Sequence, residues 1–108
     1  MSVTYLITFN VVHEQRERFL VLLNDVIDAM SVEETFIDAT LHMDPADENR
    51  FLLYETWADH QDVIDNQIKR PYREPFHKAL PELLTGPRGL QIWAPLRSLK
   101  RPAEAPPA

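Results

Sequence analysis

Seven side chains that can hydrogen-bond to an aromatic ring or stack on it lie between positions 54 and 77 of this 108-residue chain. They offer phenol, indole, imidazole, amide and guanidinium groups, which can orient a phenol-like ring and accept its proton. We therefore predict a small-molecule site in this part of the chain. The candidate residues are Tyr54, Trp57, His60, Asn66, Tyr72, Arg73 and His77.

Each candidate also has a structural interpretation. Trp57 fits a core aromatic residue whose indole N–H is donated to a carbonyl, and Tyr54 fits a subunit interface. His60 fits an exposed position in the first turn of a helix. Arg73 fits a solvated side chain, or one paired with a nearby carboxylate at little energetic gain. The sequence leaves both interpretations open for each residue.

Several other kinds of site are excluded by spacing and composition. The four histidines form no HxH or HExxH pair, and the only two glycines, Gly86 and Gly89, cannot build a phosphate-binding loop. No GxSxG motif is present. The absence of cysteine excludes disulfides, thiolate metal sites and thiol nucleophiles. We therefore expect neither a metal nor a nucleotide or flavin cofactor.

The charge and hydropathy of the chain also limit its partners. A net charge of -6 and a pI near 5.1 argue against nucleic acid, because phosphate-backbone binding needs a basic field. No apolar run approaches the length needed to cross a bilayer, so no membrane partner is expected. Together with the lack of cysteine, this favours a cytoplasmic location.

The elements that must position the candidates follow from hydrophobic periodicity. Residues 3–12, 35–43 and 51–57 alternate as strands, and residues 13–31 carry the apolar stripe of an amphipathic helix. Turn-forming residues 44–49 predict a hairpin between the second and third strands. In the second strand, Ile37, Ala39, Leu41 and Met43 are expected on the face opposite Phe36.

The region that carries most candidates is predicted to be a broken helix. Asp59 can cap a helix that begins near His60. That helix ends by Arg70, because Pro71 disfavours the α conformation of the preceding residue. Pro75 suits the first turn of a new helix. Asn66 and Tyr72 flank the break, where pockets tend to form.

The new helix is expected to carry the second apolar stripe and to end at Gly86, with glycine in a left-handed cap. Pro81 has no N–H for the carbonyl of His77, which predicts a kink or a bound water there. A final strand is predicted at residues 90–94.

The order β-α-β-β-α-β predicts an α+β ferredoxin-like fold, a four-stranded antiparallel sheet with both helical segments on one face. Residues 1–100 are expected to form one domain, and residues 101–108 a disordered tail rich in proline and alanine. The third strand is apolar or aromatic on both sides, so its uncovered side would expose an apolar patch. A homodimer that packs the two open sheet faces together would cover it.

Two motifs within this pattern resemble the antibiotic biosynthesis monooxygenase, or quinol monooxygenase-like, family. The resemblance covers residues 3–95. The first motif, hxDPxxxNxFxLYExWxD, matches at Asp44, Pro45, Asn49, Phe51, Tyr54, Glu55, Trp57 and Asp59. The second motif, PxxxxFxxxLxxLLxGP, matches at Pro71, Phe76, Leu80, Leu83, Leu84, Gly86 and Pro87.

The resemblance implies a dimeric α+β barrel with a pocket between sheet and helices in each protomer. It also implies oxygenation of a small hydroxylated aromatic or quinol without metal, flavin or nicotinamide. A deprotonated, electron-rich ring can itself pass an electron to O₂, so the protein need only bind the ring in a dry pocket and remove its proton.

The chain departs from the family pattern where many members carry histidines. One such position is Asn66, which cannot act as a base near neutral pH, and the other is Tyr72. The resemblance therefore assigns Tyr72 or His77 as the catalytic residue. Asn66, Trp57, Tyr54, Arg73 and His60 are assigned to substrate binding.

Two branches of the same fold offer further comparisons. Relatives that degrade heme carry an asparagine where this chain has Ile7, so heme oxygenation is disfavoured. A branch that handles a phosphorylated quorum-sensing sugar shares the TGPR segment ending at Arg88, but it relies on the missing histidines. The alternatives left open are a non-catalytic dimeric binding protein and an isomerase of a small oxygenated metabolite.

Overall fold

A computed structural model of the chain describes residues 1–103. Within them, four strands and three α-helices follow one another in the predicted order. Short 3₁₀ turns at His13–Gln15, Gln67–Lys69 and Pro71–Arg73 join some of them. The elements are β1 (Val3–Asn10), α1 (Arg16–Met30), β2 (Phe36–Asp44), β3 (Asp47–Trp57), α2 (His60–Asp65), α3 (Glu74–Leu83) and β4 (Gly89–Trp93).

The strands form one antiparallel sheet with the order β2-β3-β1-β4. In β1 and β3, Phe9 pairs with Phe51, and Tyr5 pairs with Glu55. Both pairs lie on the same face, because side chains two or four positions apart along a strand point the same way. This topology confirms the predicted α+β ferredoxin-like fold.

The core lies between that face and the helices. Its centre is a group of four buried phenylalanines, Phe9, Phe19, Phe51 and Phe76. The ring centroids of Phe19 lie 5.1 Å from those of both Phe9 and Phe51, and 6.0 Å from that of Phe76. These separations are typical of favourable aromatic contacts. One residue from each of β1, α1, β3 and α3 therefore joins the layers.

A β-bulge corrects the prediction for the faces of the second strand. Phe36 pairs with Trp57 and Asp38 pairs with Thr56, so Ile37 is an extra residue. The bulge turns Phe36 into the core, where its ring packs edge-on against Trp57 at 5.4 Å. Phe36 therefore lies on the same face as Ala39 and Leu41, not on the opposite face as predicted, and Ile37, which was predicted to share their face, is 51% exposed.

The hairpin between β2 and β3 is tighter than the predicted turn of residues 44–49. Only Pro45 and Ala46 lie between the strands. The backbone N–H of Ala46 donates to the Asp44 carboxylate at 2.8 Å, which is a local bond typical of aspartate in turns. Residues 47–49 therefore belong to β3.

The end of α3 also differs from the prediction. The helix runs through Pro81 to Leu83, and Leu84 follows in an extended conformation. Gly86 was expected in a left-handed cap, but no glycine of residues 1–103 has a positive φ. That prediction is wrong. The helix ends instead where Leu84 forms an isolated bridge with Val11 beside β1.

Among residues 1–103, no helix lies on the opposite face of the sheet, which is called the bare face below. It presents Leu6, Ile37, Leu52, Tyr54 and Trp93. Trp93 is 58% exposed. Within the described part of the chain, no helix is long and apolar enough to cross a membrane. Of the predicted tail, residues 101–103 are exposed, and residues 104–108 lie outside the described residues.

Candidate functional site

A pocket of about 330 Å³ lies between the covered face of the sheet and the broken helical segment. Its volume is at the small end of the range for ligand sites, roughly 300–1,000 Å³. Its walls are mainly apolar, but four ionisable side chains and a phenol also face it. The lining residues are Tyr5, Ile7, Glu55, Val63, Ile68, Arg73, His77, Arg88 and Leu90.

The pocket exists because the helical segment above the sheet is broken. Arg70 is extended, with φ -61° and ψ 132°, and Pro71 follows it as predicted. Pro75 lies in the first turn of α3, also as predicted. Val63 on α2 lines the cavity before the break, and Arg73 and His77 line it after the break.

Two acidic residues fix the short helix on the near side of the break. The Asp59 carboxylate caps α2 by accepting the N–H of Gln61 at 2.9 Å, as predicted. The Asp62 carboxylate accepts from Thr35 at 2.6 Å, and also from Asn66 and Gln67. These hydrogen bonds lower the pKa of Asp62. They tie the end of α2 to the loop before β2.

Glu55 supplies a buried acid on the sheet side of the pocket. It is 5% exposed and accepts a hydrogen bond of 3.1 Å from the indole N–H of Trp57. Burial raises the pKa of Glu55, and the nearby positive charge of Arg73 only partly offsets this. The carboxyl group therefore holds its proton to a higher pH than an exposed glutamate does.

Tyr5 lies beside Glu55 and links the pocket to α2. Its Oη and the Nδ1 atom of His60 share a hydrogen bond of 2.6 Å. Burial and the charge of Glu55 both raise the pKa of Tyr5, so the phenol is neutral at pH 7. The pair connects the interior of the pocket to a half-buried imidazole on α2.

The helix side of the pocket carries positive charge. Burial lowers the pKa of His77, and the charges of Arg88 and Arg73 lower it further. Because histidine ordinarily titrates at about 6.5, this imidazole is neutral at pH 7 and can accept a proton. The guanidinium of Arg73 lies 5.7 Å from the ring centroid of Tyr72. Tyr72 is itself half-buried against the core.

The structure brings only some of the predicted site residues together. His77 and Arg73 line the pocket, and His60 reaches it through Tyr5. Tyr72 does not line the pocket and instead lies under Arg73. Burial raises the pKa of Tyr72, so this phenol keeps its proton at neutral pH.

Three predicted contacts lie elsewhere, which corrects the predicted grouping. Trp57 is fully buried, with 0% exposure, and packs in the core next to Phe36. Tyr54 is on the bare face, because its neighbour Glu55 points to the pocket. Asn66 is exposed, and its side-chain amide donates to Asp62 at 2.8 Å. Its role in the fold is to end α2.

Three residues with ionisable side chains in the pocket were not predicted. Tyr5 was predicted only as part of a strand, Glu55 as part of a strand and of the first family motif, and Arg88 as part of the TGPR segment. One signal for Glu55 was available: it is the single acid among Phe51, Leu53 and Trp57 on the covered face of β3. An acid placed among core residues indicates a site or a buried pair.

Among the residues described, no group of three or more histidine and carboxylate side chains is placed to hold a metal ion. The groups that converge on the pocket are one carboxyl, one imidazole, one phenol and two guanidinium groups. This set can bind and deprotonate an organic ligand.

The structure resembles several solved proteins. Rv0793 from Mycobacterium tuberculosis superimposes with a TM-score of 0.82 at 20% identity, over 93% of this chain and 100% of that one. SnoaB from Streptomyces nogalater, a cofactor-independent oxygenase, superimposes with a TM-score of 0.77 at 21% identity, over 93% and 98%. Similarity at this level of identity establishes the shared fold.

Two sequence relatives match over much of the chain. Protein GME11364 of Pestalotiopsis microspora, provisionally named a monooxygenase, is 28% identical over 94 residues, which is 86% of this chain and 78% of that protein. Protein sll1783 of Synechocystis is 26% identical over 80 residues; these make up 74% of this chain but 54% of that protein. The family model for antibiotic biosynthesis monooxygenases matches residues 2–79. The chain therefore belongs to the antibiotic biosynthesis monooxygenase family.

Proposed function

We propose that this protein is a cofactor-independent monooxygenase that oxidises a small hydroxylated aromatic compound or quinol with O₂. The observation that carries the proposal is the pocket itself, which combines apolar walls with a neutral imidazole and a buried carboxyl group. Family membership and the fold shared with SnoaB, a cofactor-independent oxygenase, support it. The small volume favours a ligand of one or two fused rings.

The chemistry asks little of the protein beyond binding and proton transfer. Loss of a hydroxyl proton makes the ring electron-rich enough to pass one electron to O₂, and the two radicals then combine into a ring peroxide. The base returns the hydroxyl proton to the peroxide, and loss of the C–H proton at the peroxide-bearing carbon then breaks the O–O bond. One oxygen atom stays on that carbon as a carbonyl, and the other leaves as hydroxide, which takes up the C–H proton to form water. The substrate supplies the two electrons that reduce the second oxygen atom to water. A dry pocket protects the intermediates.

The residues facing the pocket divide these tasks. His77 accepts the hydroxyl proton, because its imidazole is neutral at pH 7 and faces the cavity. Tyr5 and Glu55 hydrogen-bond to ring oxygens on the sheet side. Tyr72 acts as a positioning residue, because its ring lies beneath the guanidinium of Arg73. Asn66 serves the site by ending α2.

Oxygen uptake by metal-stripped protein tests this function. A panel of dihydroxynaphthalenes should include compounds that consume O₂ and yield the oxygenated ring and water. His77→Ala should lower the rate about 100-fold or more, as expected for a lost general base, whereas Tyr72→Phe should retain most of it. His13→Ala, on the exposed surface, is the matched control. An unchanged rate in His77→Ala would refute the proposed base.

A non-catalytic binding protein is the second candidate. Many family members carry histidines at two positions where this chain has Asn66 and Tyr72. Asn66 is exposed and Tyr72 lies outside the pocket, so neither residue can replace those histidines as a base in the pocket. Saturable binding of the same aromatic panel without any oxygen uptake would establish this alternative.

We also propose a homodimer formed through the bare face. Exposed Ile37 and Trp93 lie on this face together with half-buried Leu52 and Tyr54. Contiguous apolar surface of this kind marks interaction sites, and two such faces can pack as layers. This arrangement gives Tyr54 a subunit contact in place of a substrate contact.

Analytical ultracentrifugation tests the dimer. Leu52→Glu places an unpaired charge at the centre of the contact and should shift the protein to monomer. Val21→Glu, on α1 at 61% exposure, adds the same charge elsewhere and should leave a dimer. A monomeric wild-type protein at micromolar concentration would refute the proposal.

A further inference from the structure

Arg73 is placed in the pocket without a partner for its charge. Its Nε and Nη2 atoms are buried, and neither has a hydrogen-bond partner within residues 1–103. Arg73 is also the residue whose guanidinium stacks on Tyr72, so its position is fixed from below. A buried guanidinium with free donors costs stability unless an acceptor occupies the adjacent space.

Four arginines that do not line the pocket behave differently. Arg16, Arg18, Arg50 and Arg70 each form an ion pair with a carboxylate of the described chain. Arg73 and Arg88 form none within residues 1–103, although both line the pocket. The one acid in the pocket, Glu55, is close enough for its charge to act on both arginines, yet it forms no ion pair with either.

The cavity is therefore cationic in a chain whose net charge is -6. Two guanidinium groups, those of Arg73 and Arg88, face a single carboxyl group, that of Glu55. A low-dielectric pocket lined by one sign of charge raises the local concentration of the opposite ion. An acidic surface would repel anions in general, so a positive cavity indicates a specific anionic group.

We propose that the pocket binds its aromatic ligand through an anionic oxygen, a carboxylate or a phenolate, held by the guanidinium of Arg73. Arg88 adds a second positive charge at the same cavity. The fork of a guanidinium matches two acceptor lone pairs, so a bound oxyanion would satisfy both unpartnered donors together. The ring itself would lie against Ile7, Val63 and Leu90.

This inference rests on the pocket being the ligand site, as proposed above, but it does not require the ligand to be oxidised. Probes that cannot react with O₂ separate the two ideas. 2-Naphthoate and 2-naphthamide have the same ring and nearly the same shape, and only the first is an anion. Their affinities can be measured by titration calorimetry on the full chain at pH 7.

The expected result is that 2-naphthoate binds roughly 10- to 100-fold more tightly than 2-naphthamide, the range for a hydrogen bond to a charged group in place of a neutral one. Arg73→Gln should remove this preference while leaving naphthamide binding unchanged within about twofold. Arg73→Lys keeps the charge without the fork and should give an intermediate preference. Arg18→Gln, an arginine outside the pocket, is the control with the same charge change.

A coloured phenol distinguishes the two anion sources. The phenolate of 4-nitrophenol absorbs visible light, so its bound fraction can be read directly. Enrichment of the phenolate by wild-type protein and not by Arg73→Gln would assign the site to a phenolate, and a preference confined to naphthoate would assign it to a carboxylate. Naphthamide binding as tightly as naphthoate, without phenolate enrichment, would overturn the inference. That outcome would leave the proposed oxygenase function intact, because oxygen uptake could still occur with neutral substrates.

Discussion

Two cross-strand pairs on the same face of the same strands have opposite environments. Phe9 and Phe51 pair at one end of β1 and β3, where α1 and α3 add two further phenylalanines. Tyr5 and Glu55 pair four residues away, and the space above them is a pocket. The backbone is equivalent at both places. What differs is whether an unbroken helix supplies large side chains above the pair.

The difference shows how this fold obtains a cavity beside a complete core. The end of the sheet around Phe9 and Phe51 is called the filled end below. α1 runs for 15 residues and contributes Phe19, at 0% exposure, to this end. The end around Tyr5 and Glu55 is called the hollow end below. Above it, the helical segment is interrupted at Arg70 and Pro71, and α2 has only six residues. A short helix with a break after it cannot deliver enough apolar side chains to fill the space. The cavity is therefore a consequence of where the prolines lie.

The largest expected effect comes from opening the filled end. Phe19→Ala removes a fully buried ring that contacts three others, and it should cost about 3–5 kcal/mol of unfolding free energy. Ile68→Ala, at the hollow end, truncates a side chain that is already 50% exposed and should cost about 1 kcal/mol or less. Urea unfolding measures both values. Equal losses would mean that the two ends are packed alike.

The packing of the filled end could be predicted from the sequence, because it follows from the hydrophobic periodicity of the strands and helices. The apolar stripes predicted for the two helical segments include Phe19 and Phe76, and strand alternation puts Phe9 and Phe51 each on an apolar side of its strand; the structure buries all four. Proline positions also predicted the break, since the constraint at Pro71 acts on its immediate neighbour. Local rules sufficed for these features, and they gave the order of the elements and hence the fold.

The lining of the hollow end could not be predicted in the same way, because it depends on which side chains from distant parts of the chain meet in the pocket. Glu55 alternates with Leu53 and Trp57 along its strand, but that alternation could not show that Arg73 and Arg88 would face it. The bulge at Ile37 and the extended end of α3 depend on tertiary contacts, such as that between Phe36 and Trp57. Candidates chosen for proximity along the chain were therefore dispersed over the core, the surface and the bare face.

The second prediction concerns the acid at the hollow end. Glu55→Gln should stabilise the protein at pH 7, because burial raises the pKa of Glu55 in the folded state. The unfolded chain loses this proton first, near the ordinary value of about 4.3, so wild-type stability falls as the pH rises from there to the raised value. The amide can still accept the Trp57 N–H. Urea unfolding across this range should show a steeper decline for wild type.

The two proteins should have nearly the same stability below about pH 4, where the carboxyl is protonated in both states. Glu17→Gln is the control, since Glu17 is 85% exposed and pairs with Arg16 at the surface. If Glu55→Gln leaves the pH dependence unchanged, Glu55 is solvated in the folded protein and the hollow end is wet.

The smallest effect distinguishes how the two ends hold their helices. α1 has no side-chain cap at Gln15, because its long apolar stripe anchors it to the core. The six-residue α2 buries only Val63 and relies on the Asp59 cap. Asp59→Ala should therefore cost about 1 kcal/mol by urea unfolding, and Asp59→Asn, an equally good cap, should cost little. Gln15→Ala should be nearly neutral. A loss at Gln15 that matched the one at Asp59 would show that both helices depend on their first turns alike.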